Sequence, residues 1–160
     1  MYFLALLLLL LLCAPSARAE SRDPGPPPHP VAEGDPQDEM AHEINRHRAE
    51  AGCPAIRLQH SLNRAAQGHS ADMAHHERLT HRGHDGSRPA DRMRAAGYRP
   101  ASSGEVLVVG PSTAAAAVQR WMESPPHRDI ILACQYADAG VGVAAGEDGL
   151  WWAVDLAAPR

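Results

Sequence analysis

Ten histidines in 160 residues supply imidazoles for two kinds of chemistry, metal ligation and proton transfer near neutral pH. Their spacing sorts them. His75 and His76 are adjacent near the end of a helical stretch, where neighbours point in different directions. They make a poor chelate and suit solvent-facing positions. His69 repeats with Leu62, Ala65, Ala66 and Met73 at helical spacing, which favours a hydrogen-bonded core residue over a ligand. His29, His42, His47 and His60 carry no pattern. His81 lies in Leu79-Thr80-His81-Arg82-Gly83-His84-Asp85-Gly86, and His127 in Trp121-Met122-Glu123-Ser124-Pro125-Pro126-His127-Arg128. No zinc spacing such as His-Glu-x-x-His joins them. On spacing alone they have no assigned chemistry.

The elements that must position these groups are four helices and three strands. Residues 37–51 place Met40, Ile44, His47 and Ala51 on one face, and Gly52 stops the turn. Ser61 caps a second helix through His69 and Met73. Ser87 or Pro89 opens a short third, through Met93 and Ala96, ended by Gly97. Ser112 caps a fourth from Thr113 to Glu123. Glu105-Val106-Leu107-Val108-Val109 reads as a strand bounded by Gly104 and Gly110. Residues 140–144 and 150–156 flank Gly146-Glu147-Asp148-Gly149 as an antiparallel hairpin. Glycines at 140 and 142 imply that something packs close against that strand. Helices first and a hairpin last predict an α+β fold, with helices covering a small, mainly antiparallel sheet. Phe is absent after Phe3, so Trp121, Trp151, Trp152, Tyr98 and Tyr136 must supply the large rings.

Residues 3–12 are almost pure Leu and Ala, about half the length of a membrane-crossing helix but suited to the apolar segment of a signal peptide. Ala17-Arg18-Ala19 supplies a small-x-small site, so residues 1–19 are expected to be removed before Glu20. No Lys or Arg precedes the run, and an uncleaved N-terminal anchor is the alternative. After cleavage no stable membrane span is expected. The remaining chain carries 14 Arg against 19 acidic residues, a net charge near −5, which argues against nucleic acid as a partner. Residues 20–37 are Pro-rich and form a spacer with little to bury. Residues 38–160 form one domain. Cys13 leaves with the signal, and Cys53 and Cys134 remain as a disulfide pair in an exported protein, two separate thiols being the alternative.

Ile44-Asn45-Arg46-His47-Arg48 through Gly52 looks like an "INxxRxxxG" helix, and Leu62 to Ala74 resembles "LxxAAxxHSxxMA". His81, Asp91-Arg92 and Ala96-Gly97-Tyr98 resemble an "H…DR…AGY" stretch. Gly104-Glu105 resembles "GEN", residues 121–128 "WmxSPxHR", and Gly140-Val141-Gly142-Val143 precedes a Trp-containing strand. In this order, over residues 38–156, the chain resembles the CAP superfamily of cysteine-rich secretory, antigen 5 and pathogenesis-related proteins, in its bacterial SCP-like branch.

The resemblance implies a three-layer α-β-α sandwich with a cleft lined by two His and two acidic residues. His81, Glu105 and His127 match three of those positions. Relatives outside the bacterial branch carry Glu three residues after the helix Trp, where this chain has Ser124, and Glu123 lies one place off. Val106 stands where the family has Asn, and Ala153-Val154-Asp155 replaces a polar step, changes that thin the expected polar lining. Two imidazoles and a carboxylate could hold Zn²⁺ with water in the open position, His81 and His127 first, Glu105 and Glu123 as weaker ligands. The same three groups are the catalytic candidates His81, Glu105 and His127, and Ser124 is a candidate nucleophile that nothing places against either His. The resemblance implies an extracellular binding module, expected as a monomer, near the envelope or free of it. Its cleft would take a small ligand, lipid or peptide. A metal-dependent hydrolase of peptidase or cell-wall amidase type is the alternative, and a sterol or lipid carrier the next.

Overall fold

The computed structural model describes residues 34–160. The expected signal segment and most of the expected spacer fall outside that range. The described elements are α1 (Pro36–Glu50), β1 (Arg57–Leu58), α2 (His60–His75), α3 (Pro89–Ala95), β2 (Pro100–Val109), α4 (Ala114–Glu123), α5 (Pro125–Ile131), β3 (Asp138–Gly146) and β4 (Gly149–Pro159). No helix among the described residues is long and apolar enough to cross a membrane.

Local chemistry explains the helix ends. Asp35 caps α1 by accepting the Gln37 N–H, with Pro36 at the first helical position. Thr113, one residue after the expected Ser112, caps α4 by accepting the Ala116 N–H. Gln59 rather than Ser61 precedes α2, and its side chain makes no capping bond. Gly97 ends α3 at φ +93°. At Ser124 the backbone turns extended, φ −101° and ψ 111°, and the prolines after it begin α5 instead of simply ending α4. That last helix is not foreseen from the sequence, because a double proline marks a start as readily as a stop.

The sheet has the order β1-β3-β4-β2, antiparallel except for the short parallel pair β1–β3. Alternation along β4 sends Trp152, Val154 and Leu156 to one face, against Met40 and Ile44 of α1, Val118 and Trp121 of α4, and Ile131 of α5. Trp151, Ala153 and Ala157 face the other way, toward Ala66 and Met73 of α2 and Met93 of α3. The result is the expected α-β-α sandwich. Trp121, Trp151 and Trp152 are all buried, as a core without Phe requires.

Beyond β1, the outer edge of β3 is covered by side-chain amides. Asn63 accepts the Val141 N–H at 3.0 Å, Gln67 brackets Val143 with two bonds, and Gln37 donates to Val141 O at 2.9 Å. These take the ladder positions that another strand would fill. α2 lies so close here that a Cβ at Gly140 would collide with the Leu62 backbone, and one at Gly142 with Ala66. Cys53 and Cys134 form a disulfide, Cα to Cα 4.9 Å. Beside it, Arg48 is fully buried and donates to the carbonyls of Pro54, Ile131, Ala133 and Tyr136 at 2.6–3.2 Å.

Candidate functional site

β2 is an edge strand, with α5 beyond one face and α3 and the 76–88 loop beyond the other. Glu105, sixth in β2, points to the α2 side in register with Asp155 of β4. Its side chain is 1% exposed. Arg92 of α3 donates Nη2–H to Glu105 Oε2 at 2.5 Å, and His81 approaches Oε1 through Nδ1 at 2.7 Å. The buried carboxylate is therefore matched by one guanidinium and oriented by one imidazole.

Arg92 also organises the loop. Its Nη1 donates to the carbonyls of His81 and Ser87, at 3.1 and 3.2 Å. His81 is 58% exposed in its side chain. Because its Nδ1 faces a carboxylate, Nδ1 carries the proton, and Nε2 is left as a lone-pair acceptor toward solvent in the neutral ring. The loop and α3 thus fix an imidazole at the surface from beneath.

His69 belongs to the same network from α2. It is 1% exposed, and Nε2 lies 2.8 Å from Thr80 O and 3.9 Å from Glu105 Oε1. Donation to the carbonyl assigns its proton to Nε2. Burial lowers its pKa, an effect opposed by Glu105 and reinforced by Arg92. It is the hydrogen-bonded core residue expected from its helical spacing.

His127, on the first turn of α5, is part-buried, and its Nδ1 has no partner among the described residues. Its pKa is lowered by burial first and by His81 second, which places the two imidazoles within electrostatic reach of each other. His81 is bonded to Glu105 near the middle of the edge strand, and His127 lies within electrostatic reach of His81. Glu123 is not part of this group. It accepts from Gln119 on α4 and lines a separate depression with Glu43, Arg46 and His47, because the break at Ser124 uncouples α4 from α5.

Asp155 enriches the floor that its segment was expected to thin. It is fully buried, with neither carboxylate oxygen partnered by a donor among the described residues. Its pKa lies well above the ordinary carboxylate range, through burial first and then the charge of Glu105. The sequence signal for it was present but weak. An acidic residue among Trp, Ala, Val and Leu in a buried strand has to be paired or neutral.

A resident zinc ion needs three or four donors converging on one point. Among the described residues, no group of three or more His, Cys, Asp or Glu side chains is arranged to hold a metal ion. The two imidazoles are the available donors, since Glu105 is turned to Arg92 and to His81 Nδ1. A guanidinium against the carboxylate also opposes a dication there by like charge. The donor set does not fit a tightly held Zn²⁺.

Comparison with known proteins adds the lineage. A family model described as "CAP: Cysteine-rich secretory protein family" matches residues 41–156. The uncharacterised protein YkwD of Bacillus subtilis is 29% identical over 108 residues, 68% of this chain and 41% of that protein. An extracellular protein of Bacillus anthracis containing an SCP domain superposes with a TM-score of 0.70 at 23% identity, covering 77% of this chain and 40% of that one. An outer surface protein of Borrelia burgdorferi gives a TM-score of 0.70 at 18% identity, over 79% of this chain and 96% of that one. These two structures share the fold.

Proposed function

The chain belongs to the cysteine-rich secretory protein (CAP) family, and from that premise we propose a secreted binding module whose His81 takes a small polar ligand or peptide segment. The carrying observation is that both Glu105 oxygens are engaged below the surface while His81 stands exposed above them. A carboxylate committed to a guanidinium is a poor base and a poor metal ligand, but a good anchor for one ring orientation. Such a site offers a fixed Nε2 acceptor to a hydroxyl or amide donor, with His127 within electrostatic reach. The apolar N-terminal run and the disulfide chemistry support export. Extracellular and outer-surface descriptions of the structural relatives point the same way.

The test is NMR titration of the mature protein with short peptides and cell-wall saccharide fragments, following the ring signals of His81 and His127. A ligand that shifts both should bind at least tenfold more weakly to His81→Ala. One equivalent of Zn²⁺ retained through dialysis, and lost in the His81→Ala/His127→Ala variant, would replace this function with a metal-centred one. Turnover of those probes abolished in Glu105→Gln would replace it with hydrolysis.

A further inference from the structure

A second concave site lies outside the His81 network, at the C-terminal end of α2. A cavity of about 400 Å³ opens between that helix end and the 76–88 loop, with Asp72, His76, Arg78, Thr80, Arg82 and His84 among its walls. Its chemistry is cationic. Arg78 makes no side-chain hydrogen bond or ion pair among the described residues. Arg82 spends one N–H on Gly86 O at 2.9 Å and has no carboxylate partner among them. Asp72, the acid in the wall, is already used: Oδ2 accepts the His84 N–H at 2.9 Å, and Oδ1 lies 3.3 Å from His76 Nδ1.

The backbone is turned to present these groups. Glu77 sits at φ +49°, a left-handed conformation that costs a non-glycine residue roughly 1 kcal/mol. That turn lets the Arg78 N–H reach back to Met73 O at 3.0 Å, next to the ordinary helical bond from His76 N–H to Asp72 O at 3.1 Å. Two carbonyls of the last helical turn, Asp72 O and Met73 O, are occupied in this way. The rings of His76 and His84 stack at 3.9 Å and 9°, closing one wall. Charge is asymmetric along the chain as well. Between Arg57 and Arg99 eight arginines stand against four acids, in a protein whose formal net charge is −4.

We propose that this cavity is a binding site for a small phosphate-bearing molecule, held by Arg78 and Arg82. Guanidinium forks match the oxygens of a phosphate, and Thr80 has a hydroxyl to donate. The volume falls in the range of small-ligand pockets and exceeds what a bare ion fills.

The experiment is ¹H–¹⁵N NMR of the mature protein at constant ionic strength, titrated with inorganic phosphate, glucose 6-phosphate and glucose. Saturable shifts of the Arg78 and Arg82 Nε–H signals with both phosphates, but not with glucose, are expected. Arg78→Gln and Arg82→Gln should each weaken binding at least tenfold. Arg94→Gln, on an exposed arginine outside the cavity, should leave it unchanged. Tighter binding of the ester than of inorganic phosphate supports a phosphorylated ligand, and equal binding supports free phosphate at the same site. Absence of saturable shifts, or equal weakening in Arg94→Gln, overturns the proposal, the latter because it would reduce the effect to diffuse charge.

Discussion

Glu105 and Asp155 are direct partners across the β2–β4 ladder, and the charge of only one of them is answered. Glu105 holds Arg92 and His81, whereas Asp155 is fully buried with no donor on either oxygen among the described residues. One guanidinium balances one carboxylate. A second buried charge would stand uncompensated, so Asp155 is the neutral acid of the two. His69 of α2, His81 of the loop and Arg92 of α3 are the other titratable groups around the pair.

That pairing predicts a pH dependence of stability. A carboxyl whose pKa is raised in the folded state binds a proton that the unfolded chain has lost. Its stabilisation is complete below the unfolded value near 3.8 and declines as pH rises toward the folded value. The slope over that window is about 1.4 kcal/mol per pH unit for one group. Asp155→Asn keeps the shape and a donor without the titration. Urea unfolding from pH 4 upward should show the stability of the variant gaining steadily on that of the parent. Parallel curves would mean that Asp155 is ionised in the folded protein.

His127 and His69 act on the acid side with the opposite sign. Both have lowered pKa values, chiefly through burial, so the unfolded chain takes up protons first as pH falls below about 6.5. Their stabilisation is present above that value and is lost as pH falls through the folded values. ¹⁵N-detected titration of the two rings should find both midpoints below that of a free histidine. A midpoint at or above 6.5 for His127 would contradict the effect of its burial and of the nearby His81.

Arg48 predicts a large stability effect far from the site. Four carbonyls from the segments before and after the disulfide converge on its guanidinium, and solvent does not reach it. Arg48→Met fills the space but leaves those acceptors unpaired, at about 1 kcal/mol or more each. The loss should be on the order of 4 kcal/mol in denaturant unfolding at pH 7. A loss under about 1 kcal/mol would mean that water replaces the guanidinium.

An α+β fold with helices over a small antiparallel sheet was legible from periodicity, and the three-layer order came with the family resemblance. The stripe of α2, the β-branched run of β2 and the glycine-bounded hairpin each follow from local pattern, whereas on α1 the buried face runs Met40, Ile44 and Arg48 and leaves the expected Ala51 exposed. Glu105, His81 and His127 were reachable only through family resemblance, since each sits on a different element and no spacing links them. Asp155, Arg92 and Arg48 were not legible as partners. Their roles depend on register and burial, which appear only when β2, β4, α3 and α1 are assembled. Helix α5 was hidden by the double proline, whose fixed φ fits a first turn as well as it breaks a last one.

Gly142 and Gly68 together test the packing that places α2, and with it His69, over the sheet. A Cβ on Gly142 would run into the Ala66 backbone, and backbone cannot rotate aside as a side chain can. Gly142→Ala must therefore lift α2 from β3, breaking the Gln67–Val143 bonds and opening the space beneath Ala66 and Met73. Overpacking of this kind costs roughly 1–3 kcal/mol, with the lost amide bonds added to it. Gly68 lies on the exposed side of the same helix, where a Cβ meets nothing within 4 Å. Gly68→Ala should raise stability by about 1 kcal/mol through helix propensity alone. Thermal unfolding of the two variants should thus move in opposite directions. If Gly142→Ala melts with the parent, α2 does not bear on β3 as closely as the structure places it.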